Sequence, residues 1–146
     1  MSRRRDFLKG SMVLTGAAVM GNAAFAQGAS KFPAGLVYTK DAPGRWAGRE
    51  GSHAPKVTME GATIKITTAH TMSQKHYIVK HTLLTPEGKF LGEKTFAPTD
   101  SAAESTYTLQ DGFKGTVWAA SFCNIHDLWV TEFTVLDEEG PCLNPL

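Results

Sequence analysis

From Lys56 onward the chain is a series of short β-branched or apolar runs set apart by turn signals, and no stretch of ordinary helix length carries a helical apolar face. Gly61-Ala62 separates two β-branched runs, residues 57–60 and 63–68. Thr85-Pro86-Glu87-Gly88 places Pro second and Gly fourth in a four-residue turn, between the apolar run 77–84 and a return over 89–96. A Ser/Thr-rich run, 105–110, ends at Asp111-Gly112, and two further runs follow at 116–122 and 129–136. Short β-branched or aromatic runs bounded by such turns are strands. About seven of them at this spacing predict an all-β fold, an immunoglobulin-like antiparallel β-sandwich. No internal repeat is visible.

The first residues follow a different logic. Ser2-Arg3-Arg4-Arg5-Asp6-Phe7-Leu8-Lys9 matches the twin-arginine export pattern, and an uncharged stretch follows over 10–25. Ala24-Phe25-Ala26 has the small-x-small form of a signal-peptidase site. The expectation is a signal over 1–26, recognised by the twin-arginine export machinery and cleaved after Ala26, with a periplasmic mature chain. An uncleaved anchor ranks second, because the stretch is shorter than the roughly 20 residues of a spanning helix. Twin-arginine export carries folded proteins, often with a cofactor already inserted. Loss of four basic residues and one acidic residue takes the formal net charge from +1 to −2. That balance points to no nucleic acid and to no anionic membrane surface. Residues 27–50, rich in Gly, Pro and Ala without a period, form an irregular lead-in, and 51–146 form the domain.

Chemistry concentrates where the last two strands meet. Cys123-Asn124-Ile125-His126 sets a thiol and an imidazole three positions apart on a tight turn. That soft-plus-borderline donor mix suits iron, copper or zinc better than calcium or magnesium. His53 lies in a loop before the first strand, and His70 and His76 bracket a polar loop between two strands. All four histidines are thus at loops or strand ends, where they can converge at one rim. His81 is mid-strand, on the face of Tyr77, Val79 and Leu83 by alternation, and is expected to be a hydrogen-bonded core residue. Cys123 could instead bond Cys142 in an oxidising compartment; its place in a His-bearing motif favours a metal thiolate.

Cys123-Asn124-Ile125-His126-Asp127-Leu128-Trp129 resembles the Cys-Asn-x-His-Gly-Leu-Trp signature of the superoxide reductase family, the desulfoferrodoxin and neelaredoxin iron-binding domain. His70 and His76, followed by Tyr77-Ile78, match the family's upstream histidine pair, and His53 before Ala54-Pro55 matches its first histidine. The resemblance runs from about Glu50 to Leu136. It implies an immunoglobulin-like sandwich with one mononuclear non-haem iron, Fe(2+)/Fe(3+), held by His53, His70, His76 and His126 in a basal plane with Cys123 axial. The open position would take superoxide and reduce it to hydrogen peroxide, and a separate electron donor protein would restore the iron. Whether the chain is a homo-oligomer is left open. No cysteine precedes Cys123, so the single-iron form is implied.

The chain departs from the family in two places. Many members carry Glu-Lys directly before the first histidine; here the residues are Gly51-Ser52. Glu50, one place further, and Lys75 or Lys56 are the candidates for the missing catalytic carboxylate and guiding cation. Asp127 stands where the family has Gly, and its charge is expected to repel an approaching anion. Asn124 is a candidate hydrogen-bond partner of the sulfur, and Trp129 a shield or simply core. A non-catalytic iron-binding or electron-transfer module on the same fold is the runner-up. A cupredoxin is weaker, since no Met follows His126, and a structural zinc site would be overfilled by five ligands.

Overall fold

The computed structural model describes residues 31–136; the twin-arginine stretch, the cleavage point after Ala26 and Cys142 lie outside them. Among the described residues there are eight strands: β1 Val37–Tyr38, β2 Lys56–Glu60, β3 Thr63–Thr68, β4 Ile78–Leu84, β5 Phe90–Thr95, β6 Ala103–Thr108, β7 Gly115–Cys123 and β8 Asp127–Val135. They form a five-stranded sheet in the order β1-β8-β7-β4-β5 and a three-stranded sheet in the order β2-β3-β6. Setting β1 aside, β2-β3-β6 facing β5-β4-β7-β8 is the partition of an immunoglobulin-like sandwich. The seven expected strands are all present, each within two residues of its expected bounds.

The core follows from alternation. On β7, Val117, Ala119, Ser121 and Cys123 are buried at every second position. Val117 and Ala119 pack with Ile64 and Ile66 of β3, Leu83 of β4 and Val135 of β8. Full burial of an Ile, Leu or Val contributes roughly 1.5–3 kcal/mol, so this cluster holds the two sheets together. Further along the same row the residues turn polar, and the row ends on Cys123, packed with Ile78, Phe96 and Ala103. The thiol is thus fixed by the same alternation that builds the core.

Simple alternation fails at one place. The β4–β7 register shifts between Ile78 and Lys80. Because of that bulge, Ile78 rather than Tyr77 or Val79 shares the buried face with His81 and Leu83. His76 lies two residues before β4 begins, in the loop that leads into it.

The segment expected to be an irregular lead-in is partly built into the fold. β1 adds to β8 in parallel, pairing Val37 with Leu128 and Tyr38 with Trp129. A 3-10 turn, Gly44–Trp46, and one short helix, α1 Glu50–His53, follow. Tyr38, Ala54 and Trp129 form a third apolar cluster, against which Trp46 packs. This strap carries His53 to the rim where β7 turns into β8.

Candidate metal centre

Each donor is set by a local device. His53 ends α1, whose single turn closes through hydrogen bonds from the His53 amide to Arg49 O (3.0 Å) and from the Ala54 amide to Glu50 O (3.0 Å). His70 follows β3 directly. His76 is held by reciprocal hydrogen bonds with Ser73: the Ser73 amide donates to His76 O at 3.0 Å and the His76 amide to Ser73 O at 3.2 Å. Cys123 and His126 flank the β7–β8 turn, where Cys123 pairs with Asp127. Asn124 joins the two loops. Its Oδ1 accepts from the Tyr77 amide at 3.0 Å, and its Nδ2 donates to Lys75 O at 2.9 Å. Asn124 therefore splints the 75–77 segment against the Cys123 turn, and its Oδ1 lies 3.9 Å from the sulfur.

The structure brings His53, His70, His76, Cys123 and His126 together, with one donor atom from each inside a group no wider than 4.8 Å. Neighbouring nitrogens lie 2.9 Å apart between His53 Nε2 and His126 Nδ1, and 2.9 Å between His126 Nδ1 and His76 Nε2. His76 Nε2 and His70 Nε2 are 3.0 Å apart. Cys123 Sγ stands 3.2 Å from His76 Nε2, 3.7 Å from His126 Nδ1 and 3.9 Å from His70 Nε2.

Protons cannot satisfy this arrangement. A neutral ring nitrogen is either one donor or one acceptor, yet His76 Nε2 and His126 Nδ1 each face three polar atoms at these distances. A cation at the centre satisfies all five at once. The spacing also bears on geometry. At a metal–imidazole distance of about 2.0–2.1 Å, nitrogens at right angles lie about 2.9 Å apart and tetrahedral ones about 3.3 Å. The observed spacings match the right angle, with a sulfur as the fifth donor, so the residues fit a five-donor transition-metal site and not structural zinc.

The electrostatics agree. Burial pushes His53 down to about 4, and the neighbouring His70 adds to the shift. Burial likewise lowers His70, His76 and His126. Neutral imidazoles are the form that ligates. His53 Nδ1 lies 3.2 Å from Arg49 O, an acceptor only, so the proton belongs on Nδ1 and Nε2 is left to face the centre. The positive charge of Arg49 contributes to lowering both His76 and His126.

Glu50 and Lys75 are not among the converging donors. Glu50 Oε1 accepts from the Gly48 amide at 3.0 Å, which holds its carboxyl below the usual range, and the residue lines a cleft shared with Lys56 and Glu132. Lys75 is exposed and meets the site's support through its backbone carbonyl. Asp127 is no bare charge: Arg45 pairs with it and Trp46 Nε1 donates to it at 3.0 Å, so the repulsion expected from it is cancelled at source. Trp129 is fully buried in the core, as one of its two expected roles has it, and its Nε1 donates to His126 O at 2.8 Å, a contact the sequence did not announce. His81 is buried among hydroxyls, away from the group. Arg45, Trp46 and Arg49 are missed from the sequence because they sit in Gly-rich surroundings without a period. The Arg49 spacing of four residues before His53, one helical turn, is the signal that was there.

Comparison with known proteins fits this geometry. No match is found among curated proteins. The structure resembles the superoxide reductase (neelaredoxin) of Ignicoccus hospitalis, at TM-score 0.60 and 23% identity over 68% of this chain and 94% of that one. The Giardia intestinalis superoxide reductase (1Fe-SOR) gives 0.52 and 23% over 57% and 98%. The superoxide reductase of Nanoarchaeum equitans gives 0.50 and 25% over 58% and 94%. The likeness at these identities is one of fold. The desulfoferrodoxin family model matches residues 47–132, which span all five converging donors. By that match, over more than half its length, the chain belongs to the desulfoferrodoxin family.

Proposed function

We propose that the chain is a single-iron superoxide reductase, with His53, His70, His76, His126 and Cys123 as the iron ligands. The observation that carries this reading is the convergence of five donor atoms within 4.8 Å, facing one another with too few protons to pair them. Bound iron would supply a ferrous–ferric couple whose single electron, with two protons, turns superoxide into hydrogen peroxide.

The chain's own residues would do the rest. Burial keeps the four imidazoles neutral and ready to bind. Cys123, buried without a disulfide partner among the described residues, offers a soft anionic donor that favours loss of an electron from the metal. Arg49 places positive charge toward His76 and His126, the side from which an anion would be drawn in. Asn124 and Trp129 fix the backbone on either side of the Cys123 turn, and so fix the donor spacing. An electron donor protein would return the electron. Export by the twin-arginine pathway and a periplasmic site of action are part of the same proposal, on the Arg3-Arg4-Arg5 to Lys9 pattern, and N-terminal sequencing of the exported chain would test them.

A second reading, an iron protein that passes electrons without superoxide turnover, has one observation in its favour: the Glu50 carboxylate is engaged by Gly48, and no lysine directly precedes His53. Rapid mixing of the reduced, iron-loaded protein with superoxide separates the two. The reductase reading expects one hydrogen peroxide per superoxide consumed, without dioxygen release. Iron that stays reduced through the pulse supports the second reading instead.

A further inference from the structure

Asp127 has φ 63°, the one positive φ outside glycine among the described residues. A left-handed conformation costs a residue with a side chain roughly 1–2 kcal/mol, although Asp and Asn tolerate it best. Glycine would adopt it freely, so something at this position offsets the strain.

The contacts of one oxygen supply the reason. Asp127 Oδ2 receives both the Arg45 guanidinium and the Trp46 Nε1–H, the latter at 3.0 Å. Arg45 Cζ lies 4.9 Å from the Trp46 ring centre, a cation–π contact. The Trp46 ring in turn stands 4.6 Å from the His126 ring at 89°. The Gly44–Trp46 turn is thereby tied to the β7–β8 turn at a single carboxylate, and an indole is seated edge-to-face on a donor histidine. The same strap continues into α1 and His53, so the tie joins the two segments that bring His53 Nε2 and His126 Nδ1 to 2.9 Å.

We propose that Asp127 is a positioning residue for the metal centre: paired with Arg45, it seats Trp46 against His126, and the pairing offsets its own charge beside that donor. This rests on the reading that the five donors hold a metal, but not on superoxide being the substrate.

The experiment has two readouts. In the protein as purified, the Trp46 indole N–H resonance is identified by its loss in Trp46→Phe. Asp127→Gly should move it upfield and speed its exchange with solvent. Asp127→Asn, which keeps an acceptor oxygen, should return it most of the way. In the iron-loaded protein, Asp127→Asn leaves Arg45 unpaired and should raise the reduction potential. Arg45→Ala leaves Asp127 unpaired and should lower it, and the double variant should fall between. A merely structural role would move both single variants in the same direction. That outcome, or an indole resonance indifferent to Asp127→Gly, overturns the proposal. If the wild-type chain shows no iron–thiolate absorption, the metal reading fails, while the indole resonance still decides whether Asp127 seats Trp46 on His126.

Discussion

His81 and the rim histidines are the same residue type in the same sandwich, wholly or partly buried and pushed down in pKa by the same cause, yet their nitrogens are satisfied in opposite ways. Around His81 the hydroxyls form an ordered relay. Thr68 donates to Ser121 Oγ at 2.9 Å, which leaves Thr68 Oγ1 to accept from His81 Nε2 at 2.9 Å. Ser105 Oγ then donates to His81 Nδ1 at 2.8 Å. Each ring nitrogen has one partner of the right sense. This relay joins Thr68 and Ser105 of one sheet to His81 and Ser121 of the other. At the rim, the converging imidazole nitrogens face one another and a thiol; the Ser52 hydroxyl meets His53 only at Nδ1, at 2.8 Å, and leaves Nε2 facing His126. Burial therefore does not separate a structural histidine from a ligand; the count of donors against lone pairs does.

The largest effects should come from erasing this contrast on the rim side. His76→Ala or Cys123→Ser is expected to lower metal affinity more than about 100-fold, beyond the usual effect of losing an outer hydrogen bond. His81→Gln should leave affinity nearly unchanged, and competition with a chelator of known affinity measures both. Next comes acid. Burial holds His81 at about 4 in the folded chain against an ordinary value of 6.5. The unfolded chain therefore takes up this proton first as pH falls. The stability linked to His81 is whole above pH 6.5 and is lost as pH drops toward 4, by about 3 kcal/mol. Denaturant titrations across that window should show the slope reduced by this share in His81→Gln, the remainder coming from the lowered rim histidines.

Smaller effects sharpen the same line. Ser105→Ala leaves His81 Nδ1 buried without its donor and should cost about 1–2 kcal/mol of stability, with metal affinity unmoved. Arg49→Ala should weaken the binding of a small anion such as azide to the oxidised centre by about threefold at low salt. The difference should vanish as salt screens the exposed charge, which a titration at two ionic strengths checks.

Most of the fold is legible in the sequence because its turns are chemically explicit. Gly61, Pro86-Glu87-Gly88 and Asp111-Gly112 end strands by backbone preference alone, and alternation on β7 delivers Cys123 to the inner face. The donor set is legible because its residue types are rare and their spacing is family-specific. What escapes is anything decided by tertiary contact. The bulge after Ile78 has no glycine to announce it, so simple alternation puts Tyr77 and Val79 on the wrong face. The strap of residues 37–54 has no period, because β1 is only two residues long and borrows its order from β8. Asp127 reads from sequence as a stray negative charge, and only its contacts with Arg45 and Trp46 turn it into an anchor.

The proposed centre has five residues closing on one iron, with Cys123 as its sulfur ligand. The direct measurement is an optical and EPR spectrum of the protein, loaded with ferrous iron under anaerobic conditions and then oxidised. A ferric thiolate charge-transfer band at long wavelength with a high-spin ferric signal is expected, with loss of the band in Cys123→Ser. A colourless oxidised protein, with mass spectrometry finding Cys123 bonded to Cys142, would contradict it.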